Sequence, residues 1–247
     1  MVNTTVEKPV KQALIEAKLD TIYERLARLK GRPTVFWNTV GKGKTLCMVY
    51  FSWWFKELMH LPIITVGTQM SFTDRFGKKA ELTTADFGEQ LKIVTALSKV
   101  LKPNMSEREI EHYINKAKEK LGFVLYNCVV NIDEGRKWMW RRDSMTNKNK
   151  SFAEYLMLSR HLKITNLISF PDWKDADIVA AQQIKWRCKV DSDQIDPNVP
   201  PTAIYCEFRG DYPWNYEIPA RDYFKYYVSE NLIGFSETAL NLSSFGV

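Results

Sequence analysis

Cysteine pairs, long apolar runs and repeats are all scarce in this sequence. Its four cysteines, Cys47, Cys128, Cys188 and Cys206, lie far apart, with no CxxC pair and no histidine cluster nearby. That spacing argues against a disulfide framework and against a zinc site, and fits a reduced, intracellular setting. Cys128 falls inside an apolar stretch and Cys47 follows a glycine-rich loop, as small core residues would. No secretory leader is legible, because Glu7, Lys8, Lys11 and Glu16 interrupt any apolar run at the N-terminus. The most apolar region, Leu46 to Val66, is broken by Lys56, Glu57 and His60, so no membrane span is expected. Neither low complexity nor an internal repeat stands out, which argues against solenoids and disordered tails. The expectation is a soluble globular protein.

What is present fits one large α/β domain with small additions. The chain has 247 residues, 45% hydrophobic and 26% charged, enough to bury a full core. A net charge of +6 favours polyanionic partners such as nucleic acid without identifying one.

From about Val6 to Lys30, Val10, Ala13, Leu14, Ala17, Ile22, Leu26 and Leu29 recur at helical spacing, and Gly31 ends the pattern. Residues 1–30 are therefore expected to form an amphipathic helix, and 31–247 the main domain. A short apolar strand, Thr34 to Trp37, is followed by a glycine-rich loop, a helix from Thr45 to about Met59, and a strand Pro62 to Val66 closed by Gly67. That order is a βαβ unit and implies a parallel sheet. Helices are expected over 85–101 and, behind the capping box Ser106/Glu109, up to Leu121 before Gly122. Phe123 to Ile132 reads as one long, doubly covered strand. Gly135 to Lys150 shows no clear period. Ser151 with Glu154 would cap a helix ending near His161, followed by a buried strand from Ile164 to Phe170 that Pro171 breaks. Ile184 to Val190 and Ala203 to Phe208 read as antiparallel strands joined by the proline-rich loop 196–201. The aromatic tail behind them, within 185–247, is expected to pack back on the core.

Phosphate needs several donors converging from one side, which a glycine-rich loop at a helix N-terminus supplies as backbone N–H groups. Asn38-Thr39-Val40-Gly41-Lys42-Gly43-Lys44-Thr45 has that form. Gly41 and Gly43 free the backbone, Lys44 would reach the β and γ phosphates, and the Thr45 hydroxyl would ligate magnesium. The motif usually opens on glycine; here Asn38 stands there, a residue that tolerates left-handed geometry. An acidic residue is then expected at the end of the strand directly beside the loop strand. Asp133 would hold the magnesium through water, and Glu134 would polarise the attacking water as general base. An Asp-Glu pair at a strand end could instead cap the next helix. Arg160 is a candidate for the positive charge on the γ-phosphate, with Arg141 and Arg142 as others, and surface salt bridges are the competing reading for each. The segment Arg136-Lys137-Trp138-Met139-Trp140-Arg141-Arg142, followed by Lys148 and Lys150, interleaves aromatics with bases. It suits contact with nucleic-acid phosphates, although both tryptophans could equally be buried anchors.

With both motifs in place, the chain resembles the FtsK–HerA superfamily of DNA-pumping ATPases. Zonula occludens toxin-like ATPases of filamentous phages and viral genome-packaging ATPases are the nearest branches. The residues that carry the resemblance are Val40 to Thr45, Ile63 to Val66, Val129 to Glu134 and Tyr155 to His161, within about Thr34 to Val190, with a fainter echo at 223–227. The resemblance implies a P-loop NTPase fold, ATP and magnesium as ligands, a hexameric ring and double-stranded DNA as the substrate moved. Packaging would add viral capsid proteins as partners and a place in the host cytoplasm or on the virion. Relatives carry a polar sensor at the end of the strand after the Arg-His helix. Here Ser169 is the nearest polar residue to that place. A phage-assembly ATPase acting on protein, a replication ATPase of the DnaA type and a non-hydrolysing nucleotide-binding protein remain as alternatives.

Overall fold

A computed structural model describes residues 19–66, 83–84, 86–102, 104–143, 146–193, 201–221 and 223. Residues 19–29 are helical (α1), followed by β1 (Pro33–Trp37), α2 (Lys44–Met59), β2 (Ile63–Val66), β3 (Thr83–Thr84), α3 (Phe87–Ser98) and α4 (Glu107–Leu121). Then come β4 (Val129–Ile132), α5 (Arg136–Met139), α6 (Asn147–Ser159), β5 (Thr165–Phe170), α7 (Ile178–Gln183), β6 (Trp186–Ser192), β7 (Ala203–Arg209) and β8 (Trp214–Pro219). The strands form one sheet in the order β3-β2-β4-β5-β1-β6-β7-β8. Pairing is parallel from β3 through β6 and antiparallel from β6 to β8. This is the α/β class expected, with a mostly parallel centre and antiparallel C-terminal strands.

Side chains on successive strand residues face opposite sides, so each central strand feeds two cores. Phe36, Val129 and Leu167 join α1, α2 and the β6–β8 side chains in one cluster. Val35, Val130 and Ile168 join α3, α6 and Leu125 in the other. Both faces being covered, β2, β4 and β5 are buried throughout, and the burial extends to their polar residues Thr65, Asn131, Thr165, Asn166 and Ser169. Strands β6 and β7 alternate buried and exposed residues instead, because only one of their faces is covered.

Several boundaries differ from expectation. The strand ending at Asp133 does not adjoin the loop strand: β5 lies between, pairing Val35 with Ile168 on one side and Ile132 with Ile168 on the other. β4 is also only four residues long. Asn127 takes a left-handed φ of 45° and its N–H is bonded to the Leu162 carbonyl. Upstream, the Gln90 amide receives the Leu125 N–H and donates to the Phe123 carbonyl, doing for that backbone what a strand neighbour would. Helix α6 starts at Asn147 behind Thr146, whose hydroxyl accepts the Asn149 N–H, so Ser151 sits inside the helix. β3, α7 and β8 have no counterpart in the sequence reading. Part of the expected first helix, 1–18, the loop 194–200 and 224–247 lie outside the described residues, while Ala220 and Tyr223 do pack on the first core.

Helix α1 is built into the domain. Leu26 and Leu29 are fully buried, the Trp186 indole donates to the Arg28 carbonyl at 3.0 Å, and the Arg25 guanidinium lies 4.9 Å from the Trp214 ring centre. Leu26→Ala should therefore cost about 2–5 kcal/mol of stability in urea unfolding. An unchanged midpoint would mean that the helix is not part of the cooperative core.

Candidate functional site

The glycine-rich loop leaves β1 at the C-terminal edge of the parallel strands, where α2 begins. Gly41 and Gly43 have φ of 82° and 84°, and Gly43 is the N-cap of α2. A side chain on Gly43 would strain the backbone and push Ile204 aside, since its β-carbon would lie 2.4 Å from the Ile204 Cδ1. Asn38 is not among the described residues with positive φ. Its tolerance of left-handed geometry is unused, and its contribution comes through its side chain.

Lys44 and Thr45 open α2 with no acidic residue in the first turn, leaving the helix N-terminus free for an anion. The Lys44 ammonium donates to the carbonyls of Asn38 and Thr39, each at 2.8 Å, which holds it folded over the loop. Burial pushes its pKa below the usual lysine range, and the nearby Asp133 carboxylate partly offsets that. Thr39 and Val40 are exposed, and Lys42 forms an ion pair with Asp191 at 2.9 Å.

Asp133 reaches this loop from β4. One carboxylate oxygen accepts from the Thr45 hydroxyl at 3.5 Å, from the Glu134 N–H at 3.1 Å, and from the Ser169 hydroxyl at the end of β5. The inserted β5 thus brings Ser169 between the two motifs. Thr45 and Asp133 present hard oxygens to one point at the loop, a donor set that fits magnesium, which takes one or two protein oxygens and completes its shell with water and phosphate.

The turn after Asp133 is pinned to β5. The Gly135 N–H donates to the Ser169 carbonyl at 2.8 Å, and the Glu134 N–H also reaches the Ser169 hydroxyl at 2.9 Å. Glu134 itself has a φ of 52°, and its carboxylate forms an ion pair with Lys137. Gly135 escaped the sequence reading, as did the buried pair of Asn131 on β4 and Ser52 on α2, joined at 2.8 and 3.0 Å. The fixed adjacency of Asn131 and Gly135 to the Asp-Glu pair was the signal that could have found both.

Arg160 lies elsewhere. It follows α6 and precedes β5, at the N-terminal edge of the sheet, whereas Lys44, Asp133 and Ser169 stand at the opposite edge. A six-residue strand spans about 20 Å, so the chain does not bring Arg160 to its own loop. The basic segment does hang from the loop edge. Arg136, Lys137, Arg141 and Arg142 are all exposed. Its tryptophans are engaged: Trp138 packs edge-on against Phe87 at 4.9 Å, while Arg136 and Arg142 both lie over the Trp140 ring, at 4.3 and 5.2 Å.

All four cysteines are free and buried, with the Cys47 and Cys206 sulfurs 3.4 Å apart. Among the described residues no cluster of three metal-ligating side chains occurs, and no helix is long and apolar enough to cross a membrane.

No family model and no curated protein matches the chain. Solved structures do. The chain is similar to the N-terminal domain of zonular occludens toxin from Neisseria meningitidis, at 16% identity and a TM-score of 0.45 over 80% of this chain and 100% of that one. It is also similar to the genome packaging NTPase of Sulfolobus turreted icosahedral virus 2 in complex with ATP-gammaS, at 10% identity and a TM-score of 0.45, covering 76% and 96%. A third is EssC from Geobacillus thermodenitrificans, at 13% identity and a TM-score of 0.45, covering 85% and 43%. At these levels the fold class rests on the sheet order and the loop themselves.

A β-carbon on Gly135 would lie 2.5 Å from the Ile168 Cγ2 and 2.8 Å from the Ser169 carbonyl oxygen. Gly135→Ala should therefore cost about 1–3 kcal/mol in chemical unfolding. A variant as stable as the parent would show that the turn does not need this close approach.

Proposed function

We propose that the chain is an ATP-hydrolysing motor that moves double-stranded DNA, as in packaging a viral genome. The observation that carries the reading is the meeting of Lys44 and Thr45 with Asp133 and Ser169 at one sheet edge. Backbone N–H groups from Asn38 to Thr45 would cradle the phosphates, and Lys44 would exchange its loop carbonyls for phosphate oxygens. Thr45 and Asp133 would hold magnesium, which neutralises charge on the β and γ oxygens. Ser169 keeps the Asp133 carboxylate aimed at the loop.

Glu134 would take the proton from the attacking water, which requires its carboxylate to leave Lys137. Exposed ion pairs of this kind contribute about 0–1 kcal/mol, so the exchange is not costly. Arg160, at the far edge, would act only on the nucleotide of a neighbouring subunit, which suits a ring such as a hexamer. The exposed Arg136, Lys137, Arg141 and Arg142 would grip phosphates without reading sequence. In this reading residues 31–247 are the ATPase domain, and 1–30 an N-terminal segment whose helix α1 packs into that domain's core. Capsid proteins would be further partners, and the host cytoplasm or the virion the place of action.

The Glu134–Lys137 pair also favours a second reading, a protein that binds nucleotide without turnover. Phosphate release from ATP, with and without long duplex DNA, separates the two. The parent should turn over and be stimulated by DNA, Lys44→Ala should abolish release, and Glu134→Gln should lower it by about 10²–10⁴-fold. Turnover indifferent to DNA would favour an assembly ATPase acting on protein, and a requirement for one DNA sequence would favour a replication ATPase of the DnaA type. Absent turnover with intact nucleotide binding would establish the second reading. Replacing Arg141 and Arg142 by alanine should weaken duplex binding and flatten its dependence on salt, by about one unit of slope for each phosphate no longer neutralised.

A further inference from the structure

The parallel ladder between β1 and β6 runs Thr34 with Trp186, Val35 with Arg187, Phe36 with Cys188 and Trp37 with Lys189. The next step would pair residue 38 with Val190. There the backbone has already turned away into the glycine-rich loop, and the Asn38 side chain takes over: its amide donates to the Val190 carbonyl at 2.6 Å. A side-chain N–H thus adds one rung after the main chain has left the sheet. The other end of the same amide accepts the Thr39 N–H at 2.7 Å, which fixes the first bend of the loop. Those two residues supply the carbonyls on which the Lys44 ammonium rests. One position further along β6, Asp191 holds Lys42 at 2.9 Å, and that contact keeps the Asp191 carboxyl below the usual carboxylate range.

We propose that Asn38 and Asp191 are positioning residues of the phosphate loop, fastening its entry and its middle to consecutive residues of β6. The proposal rests on the loop being a nucleotide site and says why asparagine stands where the motif has glycine. Glycine would free the backbone but cannot reach Val190. Asn38 gives up that freedom, which the observed conformation does not use, for two hydrogen bonds that set the loop before the nucleotide arrives. A loop ordered in advance does not have to be ordered at binding, so the gain appears in affinity.

The test measures binding of ATP-gammaS with magnesium by calorimetry, and initial rates with ATP, on the full chain. Asn38→Gly and Asn38→Ala should each raise Kd and KM by about 3–10-fold, the scale of one or two net hydrogen bonds, with kcat within about twofold of the parent. A merely structural role would lower the thermal midpoint and leave Kd and KM of the folded fraction unmoved. Lys42→Ala and Asp191→Ala should each weaken binding about twofold, and the double variant no further than either single one. Additive losses would remove Asp191 from the proposal. Tight binding by Asn38→Gly, which restores the usual motif, would overturn the role of Asn38. A parent that binds no ATP-gammaS would overturn the nucleotide-site reading, and this proposal with it. A parent that binds beside an equally tight Asn38→Gly overturns the proposal alone.

Discussion

One carboxylate oxygen of Asp133 joins the first turn of α2, the end of β5 and the turn that follows β4. A charged acceptor with three donors is strong only if its donors are already in place, and each comes from a different element. Their convergence requires β4, β5 and β1 to end level with one another. The parallel register sets that level: Trp37 pairs with Phe170, and Ile132 pairs with Ile168, so all three strands stop within two residues. The doubly covered centre of the sheet supplies the burial that keeps this register from slipping. The site is therefore a property of strand ends, and the hydrophobic patterning that builds the sheet also builds the site.

The sequence made much of this legible, for physical reasons. The loop, its flanking strand and helix, and the Asp133 strand end are local patterns in which residue types fix backbone shape. The capping box at Ser106 and Glu109 is likewise self-contained, and both of its halves are formed. What was hidden depends on contacts distant in sequence. Nothing within β4 reveals that β5 slides in beside it, because strands buried on both faces carry no alternation that would order them within the sheet. The apolar run from Phe123 to Leu125 looked like strand because its substitute partner, Gln90, lies more than thirty residues upstream. Thr146 and Ser151 are chemically similar caps, and the choice between them is made outside the helix, where the Asn149 amide bonds the Trp140 carbonyl at 2.8 Å.

The basic segment shows competition for a single side chain. Aromatic rings among arginines suit stacked bases, yet the Trp140 ring already has two guanidinium groups of the same chain against it. Cation–π contacts of this kind contribute about 0.5–1 kcal/mol at exposed sites, enough to orient the arginines and too little to immobilise them. The tryptophan organises the charges around it, and the charges face solvent.

The alternating strands at the other end of the sheet have a different consequence. Among the described residues β8 is the last strand on that side, so its outer backbone is an edge to which a further strand could add. Pro213 precedes it and Pro219 ends it, and each removes an amide hydrogen that a newcomer would need. Only a short stretch between two blunted ends stays open to pairing. Chain chemistry thus confines any added strand on that flank to the few residues between the two prolines.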